Sequence, residues 1–235
     1  TAMTNTDSSR WSFGYDLLGQ VTSGKRYWSD GTIVVGQQFE YSFDDIGNRQ
    51  TSASGGDEWG INLRYQNYAA NNLNQYTQRS VPGHIDVQGS ATNTATVTVN
   101  NQPSYRKGDY FRAELAGDNG DGPVLQGITN MAVIPQGTNA DIVTNITGNV
   151  LVPKFTEAFF YDADGNQLSD SLWTNTWNGE NRLVATESAS GVPNGGKAKQ
   201  TWSHLADGRW YERVIFTWNG STYTAQSTNR FVWDG

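Results

Sequence analysis

The chain has 235 residues with a formal net charge of −7 and a sequence pI near 4.7, so it would repel the phosphates of a nucleic acid partner. It has no cysteine, which excludes disulfides, a thiolate nucleophile and cysteine-ligated metals, and no apolar run approaches the ~18 residues of a membrane helix. Nine Trp, eleven Tyr and nine Phe are too many aromatic residues for a disordered chain. Abundant Gly, Asn, Thr and Ser favour turns and strands, so the composition predicts an all-β protein.

The first ten residues are polar, and we expect them to be a poorly ordered remnant of expression. Two copies of a hairpin unit follow. Each copy opens with aromatic residues two apart, which share one face of a strand. An Asp then closes an Asx turn with its carboxylate, and a Gly supplies a positive φ. The predicted turn residues of these copies are Tyr15, Asp16 and Gly19, then Phe43, Asp44 and Gly47.

A degenerate third copy follows around Asn71–Tyr76, and the pattern then changes at Val81-Pro82-Gly83. From here apolar and polar residues alternate in several short runs, as in Ile85 and Val87 or Val97 and Val99, which predicts a small β-sandwich. The stretch IDVQGSATNTATVTVNNQPSYRKGDYFRAEL resembles Ig-like accessory modules. The sequence therefore predicts a sandwich inserted over residues 82–153.

The hairpin unit returns after Pro153. A long segment, AFFYDADGNQLSDSLWTNTWNGENRL, carries two linked copies, and a later copy departs from the pattern at Trp202-Ser203-His204-Leu205, where a Tyr-Asp step is expected. A further copy begins at Trp233-Asp234-Gly235. The predicted turn residues here are Tyr161, Asp162 and Gly165, then Trp177 and Asn178, then Asp207 and Gly208.

Four fragments, YDLLGQV, FDDIGNR, YDADGNQL and WNGENRL, resemble the YD repeats of RHS-family proteins. The resemblance implies β-hairpins that spiral into a hollow shell. Bacterial members enclose a C-terminal toxic segment in such a shell, and teneurins use a similar shell for cell adhesion. It also implies repeat blocks at residues 11–81 and 154–235, the second truncated at its C-terminus. We therefore expect a non-catalytic segment of a secreted or cell-surface bacterial protein, whose main partner is the rest of its own longer polypeptide.

Catalytic chemistry has no clear signal in the sequence. His84 and His204 lack nearby ligand spacing, no nucleophile-elbow motif is present, and no carboxylate pair stands out as a glycosidase pair. Two acidic loops offer partial oxygen-ligand sets for a cation, although turn capping accounts for Asp162 without an ion. The weak metal candidates are Asp118 and Asp121 in the first loop and Asp162 and Asp164 in the second. We predict no catalytic residue and no cofactor.

Exposed aromatic rings support an alternative function. Nine Trp in an acidic β protein would suit a glycan-binding or adhesion module, since flat rings stack on sugars. Repeat aromatics that pack between neighbouring hairpins are the simpler interpretation. Trp28, Trp59 and Trp173 are the candidates for glycan stacking because the repeat constrains them least.

Overall fold

A computed structural model describes residues 2–234. They form two compact units: unit 1 of residues 2–117 and 126–150, and unit 2 of residues 118–125 and 151–234. The regular structure of this range is β-strand, apart from one 3-10 turn at Asn194–Gly196, and its sheets are antiparallel. The predicted all-β class is therefore confirmed. Gly235, predicted to belong to a further repeat copy, lies outside the described residues.

Unit 1 begins with an antiparallel meander, here called the repeat sheet. Each strand pairs with the next one along the chain, so short turns set its order. Its strands are β1 (Ala2–Thr4), β2 (Arg10–Tyr15), β3 (Val21–Tyr27), β4 (Ile33–Phe43), β5 (Arg49–Gly55), β6 (Leu63–Ala70) and β7 (Tyr76–Ser80).

The first strand lies in the segment for which the sequence predicts poor order. The turn between β1 and β2 is held by Asp7, whose Oδ1 accepts hydrogen bonds from the Ser9 N–H at 2.9 Å and from the Ser9 hydroxyl at 2.6 Å. Ser9 is fully buried, and the guanidinium of Arg26 bonds to both of these side chains. The polar side chains of this turn therefore hydrogen-bond to one another, a contribution that a count of apolar residues does not include.

The rest of unit 1 is a sandwich of two small sheets. The strands are β8 (His84–Ser90), β9 (Thr96–Val99), β10 (Gln102–Pro103), β11 (Tyr105–Lys107), β12 (Tyr110–Ala116), β13 (Val124–Ile134) and β14 (Ile142–Val152). One sheet has the order β11-β12-β8 and the other β10-β9-β13-β14. Along β8, β9 and β12 every second side chain is buried in the core between the sheets. The buried residues include Ile85, Val87, Val97, Val99, Phe111, Ala113 and Leu115.

The sandwich packs on the repeat sheet through β4. Gly36, at φ 83°, lies so close to β8 that a Cβ there would come within 2.7 Å of the Gln88 amide, and Gln88 donates to the Gly36 carbonyl at 3.1 Å. The Tyr110 hydroxyl donates to the Val35 carbonyl at 2.6 Å. Glycine at position 36 therefore lets the backbone of β4 lie directly against the side chain of Gln88 on β8. The Ig-like identity of the sandwich and its boundaries at 82 and 153 stay predictions.

Unit 2 holds a second meander, in which the seven strands between residues 160 and 230 pair in sequence order. Its entry is fixed by the buried Asn119, which donates from Nδ2 to the Pro153 carbonyl at 2.8 Å and accepts from the Phe155 N–H at 2.9 Å. The strands are β15 (Thr156–Ala158), β16 (Phe160–Tyr161), β17 (Gln167–Ser169), β18 (Trp173–Trp177), β19 (Leu183–Ser188), β20 (Ala198–His204), β21 (Trp210–Trp218) and β22 (Tyr223–Arg230).

Candidate functional site

Nine hairpin turns within residues 2–234 share one backbone geometry. In each, the N–H of the first residue donates to the carbonyl of the fifth, and the N–H of the fourth donates to the carbonyl of the first. The fourth residue has a positive φ between 58° and 92°, as in three-residue hairpin loops that end in a left-handed residue. The nine first positions are Asn5, Asp16, Trp28, Asp44, Asp57, Asn71, Asp162, Asn178 and Leu205.

Six of these turns are capped by the side chain of their first residue. The Oδ1 atom accepts hydrogen bonds from the N–H groups of the third and fifth residues at 2.8–3.1 Å. Asn and Asp offer the same acceptor. The capping residues are Asp16, Asp44, Asp57, Asn71, Asp162 and Asn178.

The predicted aromatic and glycine positions fall around these caps. Each aromatic residue is the last residue of the incoming strand, directly before the cap, and each glycine is the fourth turn residue. The aromatic residues are Tyr15, Phe43, Tyr161 and Trp177. The glycines are Gly19, Gly47 and Gly165, with Gly208 in the Leu205 turn. In the Asn178 turn the left-handed residue is Asn181, at φ 58°.

The remaining three turns are capped from the third residue. Here Asp7, Asp30 and Asp207 accept the fifth-residue N–H at 2.9–3.0 Å. Asp207 was predicted to belong to a turn, and it occupies the third position because Leu205 stands at the first. The backbone geometry thus survives the change of cap.

Successive turns on the same side of a sheet contact one another. The fifth residue of one turn reaches the left-handed residue of the next: Asn48 Nδ2 donates to Asn74 Oδ1 at 3.3 Å, and Asn166 Nδ2 donates to Asn181 Oδ1 at 2.8 Å.

The other turn-to-turn contacts repeat this relation. The Arg182 guanidinium lies beside Gly208 and donates to the Leu205 carbonyl at 3.1 Å. Gln20 Nε2 lies 3.3 Å from the point where a Cβ on Gly47 would be. We call the two resulting series of turns, Asp16–Asp44–Asn71 and Asp162–Asn178–Leu205, the turn ladders.

Hydrogen bonding in the turns also lowers carboxyl pKa values. The Asn48 amide lowers the pKa of Asp44, and the Asn166 amide lowers the pKa of Asp162, in both cases assisted by backbone N–H groups. The Arg209 side chain lowers the pKa of Asp207. These groups are charged acceptors at neutral pH, which suits capping and not proton donation.

The Asp57 turn was not among the predicted repeat copies. Asp57 and Gly60 occupy the first and fourth positions of the shared turn geometry. The signal was present, since an Asp or Asn followed three residues later by Gly or Asn describes all six turns capped from the first position. Asn178-Gly179 marks a turn, but its left-handed residue is Asn181 and not Gly179.

A charged network joins the repeat sheet to the sandwich and was not foreseen either. Glu114 on β12 accepts hydrogen bonds from Arg64 on β6 and from Arg112, the latter at 2.9 Å. Glu114 lies opposite Asp86 on β8, and like charges at such positions repel. The Arg112 guanidinium offsets this repulsion because it also pairs with Asp86, at 2.5 Å. Burial raises the pKa of Glu114, but the bonds from Arg64 and the charge of Arg112 outweigh burial, so its pKa is lowered.

The two histidines lie in different units and have different neighbours. His84 Nδ1 lies 3.3 Å from Glu114, whereas His204 lies on β20 in unit 2, with a buried Nδ1 that has no partner among the described residues. The structure therefore brings neither histidine to a serine or cysteine nucleophile among these contacts.

The acidic loops are engaged in local bonds. Asp162 uses Oδ1 for two N–H groups, one of them that of Asp164, and Oδ2 for Asn166. Asp118 accepts from the Gly120 N–H at 3.4 Å, and Asp121 is exposed. Among residues 2–234 no group of three or more His, Cys, Asp or Glu side chains is arranged to hold a metal ion.

The three tryptophans predicted to stack on sugars differ in setting. Trp28 packs edge-on against Tyr110, with ring centroids 5.5 Å apart, and so belongs to the contact between repeat sheet and sandwich. Trp59 is 70% exposed at the tip of the Asp57 turn. Trp173 is half-buried on β18 in unit 2. The described contacts join none of these rings into a shared platform.

Within the described range, no helix is long and apolar enough to cross a membrane. No family model matches the chain, and no curated protein matches it.

Among solved structures, the chain is similar to TcdB2-TccC3-TEV, with 12% identity over 99% of this chain and 11% of that chain and a TM-score of 0.34. It is also similar to TcdB2-TccC3 without its hypervariable C-terminal region, with 11% identity, coverage of 91% and 10%, and a TM-score of 0.31. The chain spans about a tenth of the length of these proteins. Similarity at these TM-scores assigns neither fold nor function, and the all-β fold rests on the strands described above.

Proposed function

We propose that this chain is a non-catalytic wall segment of an RHS-type shell, in which YD-repeat hairpins enclose or present a C-terminal effector. The observation that carries the proposal is the pair of turn ladders. The same five-residue turn recurs, and its fifth side chain reaches the next turn each time. A repeat that contacts only its neighbours in this way extends by adding copies, as repeat proteins do.

The chemistry of the turns supports a structural role. Both carboxylate oxygens of Asp44 and of Asp162 accept hydrogen bonds, and their lowered pKa values keep them charged. A general acid needs the opposite shift. The sandwich acts as an inserted module fixed to the wall by Glu114 and Tyr110.

The partner in this proposal is the rest of a longer polypeptide, in a secreted or cell-surface bacterial protein, as the family resemblance implies. We do not propose the glycan-binding alternative, because none of the described contacts groups the exposed tryptophan rings.

The test is limited proteolysis of the longer polypeptide that carries this segment, following the C-terminal region by mass. We expect protection in the wild type and earlier cleavage when Asp16 and Asp44 are both changed to Ala, which removes two caps of one ladder. The matched control changes both to Asn, which keeps the acceptor and should keep the protection. Cleavage of the C-terminal region at the same rate in all three proteins would argue against enclosure.

A further inference from the structure

β14 presents an open edge. It is the last strand of the sheet β10-β9-β13-β14, and no strand in residues 2–234 pairs with its outer side. Every residue from 142 to 150 is exposed, including Ile142 at 54%, Ile146 at 63% and Val150 at 38%. This stretch has no charged residue and no proline, the features with which natural edge strands resist pairing.

An apolar groove lies beside this edge, between β14 and β8. Its two adjoining cavities, of about 450 and 300 Å³, share Gln88, Asn130 and Ile146 as lining residues. Val97 and Phe111 line the deeper cavity. We call this the seam groove. It runs along the open side of the sandwich, where one more strand would cover the core.

A buried acceptor lies in the same place. Asn130 Oδ1 accepts no hydrogen bond from the described residues although it is buried. A buried carbonyl without a donor costs free energy, so a side chain that enters the groove and brings a hydroxyl or N–H donor would be favoured here.

The spacing along β14 is symmetric about Ile146. If two copies pair antiparallel with Ile146 opposite Ile146, then Ile142 lies opposite Val150 and Thr144 opposite Gly148. These even-numbered residues share the groove face. On the other face Asn145 meets Thr147. The register thus places apolar side chains against apolar ones and sets no charge against a like charge.

We propose that β14 pairs with the same strand of a second copy of this chain, antiparallel, about a two-fold axis through Ile146. The sheet then continues across both copies, and the groove-face residues Ile142, Ile146 and Val150 of each copy extend over the seam groove of the other. A two-fold contact of this kind uses each edge once and closes the assembly at two chains. The inference does not depend on the proposed shell function.

Net charge gives this pairing a distinctive salt dependence. Each chain carries −7, while the paired strands are neutral, so repulsion between the copies is long-range and screened by salt. Association is therefore expected to strengthen as salt rises, whereas an interface made of ion pairs would weaken.

The first experiment is sedimentation velocity of the full chain across the micromolar range, at low and high salt. We expect a monomer–dimer equilibrium that shifts toward dimer in high salt. Ile146→Lys places two cations together at the axis and should weaken association at least ~10-fold, as should Ile146→Asp. Mixing the two variants should restore the dimer, because opposite charges then meet.

The matched control is Ile46→Lys, at an isoleucine that is 72% exposed in the Asp44 turn, and it should dimerise like the wild type. Circular dichroism checks that the Ile146 variants stay folded. A chain that is monomeric at every concentration, a dimer indifferent to Ile146→Lys, or assembly beyond two chains would each overturn the proposal.

A covalent test fixes the register. Directly opposite strand residues have Cα atoms about 4.5–5.5 Å apart, within the range for a disulfide, and the chain has no natural cysteine. Ile146→Cys should form a covalent dimer on mild oxidation, and Ile46→Cys should not. Equal cross-linking of both variants would contradict a two-fold axis at Ile146.

Discussion

The repeat sheets and the sandwich specify strand pairing by different chemistry. In the two meanders, nine turns are each built from five consecutive residues and capped by a polar side chain. In the sandwich, β8 pairs with β12 and β9 with β13, partners far apart in sequence that are held by alternating buried apolar residues. The comparison teaches that changes in the turns should act locally and mildly, while changes in the sandwich core should act on a whole module.

The largest effect is expected at Phe111, a buried residue between the two sandwich sheets. Phe111→Ala should lower the free energy of unfolding by about 3–5 kcal/mol, because it removes apolar contacts and enlarges the adjoining cavity. Urea unfolding followed by tryptophan fluorescence measures the change. Phe160→Ala is the control, at a phenylalanine that is 59% exposed in the repeat sheet of unit 2. Equal losses for the two variants would remove the distinction between the modules.

The next effect is expected at Glu114, where the two modules of unit 1 meet. Glu114→Ala leaves Arg64 and Arg112 without their shared carboxylate. We expect a loss of about 2 kcal/mol, below the 3–5 kcal/mol typical of fully buried pairs, since this network is part-exposed. Arg230→Ala, which breaks a pair with an arginine that is 76% exposed, should cost far less.

Acid should remove the Glu114 contribution. Its pKa is lower in the folded chain than in the unfolded chain, so the stabilisation is complete above the unfolded pKa and is lost as pH falls through the folded one. Urea midpoints for the wild type and Glu114→Gln, compared from neutral pH downward, should therefore differ at neutral pH and approach each other as acid protonates Glu114 in the folded chain. A difference that persists in acid would mean that the charge of Glu114 is not what stabilises the fold.

The contrast between modules also explains what could be read from the sequence. The turn positions of Asp16, Asp44 and Asp162 are recognisable because cap, left-handed residue and closing residue lie within five positions. Glu114 and Arg64 were not recognisable, since fifty positions separate them and only tertiary structure brings them together. The seam groove was hidden for the same reason, because it depends on which strands end up at the sheet edges. The Asp57 turn differs from these, because its local pattern, an Asp followed three residues later by Gly, is visible in the sequence.

A smaller effect is expected from the caps themselves. Asp162→Asn should be nearly neutral, because Asn keeps the Oδ1 acceptor for the two N–H groups, as Asn178 does in the next turn. Asp162→Ala should lower the Tm by about 2–5 °C, since it leaves those donors without their acceptor. Thermal unfolding followed by circular dichroism measures both. Equal damage from Asn and Ala would mean that the charge of Asp162, and not its capping geometry, is what matters.

The smallest effect tests whether neighbouring turns are coupled. Asn166 donates to Asn181 Oδ1 at 2.8 Å, while the corresponding bond from Asn48 to Asn74 is 3.3 Å long. Asn166→Ala should cost about 0.5–1 kcal/mol, part of it from its bond to Asp162. Asn181→Gly keeps the left-handed backbone and removes only the acceptor. A double-mutant cycle isolates the bond between the turns, and we expect a coupling of about 0.5 kcal/mol. The same cycle with Asn48→Ala and Asn74→Gly should give a smaller coupling, because the longer bond is weaker. If neither cycle gives a coupling, the hydrogen bonds between neighbouring turns do not stabilise the fold.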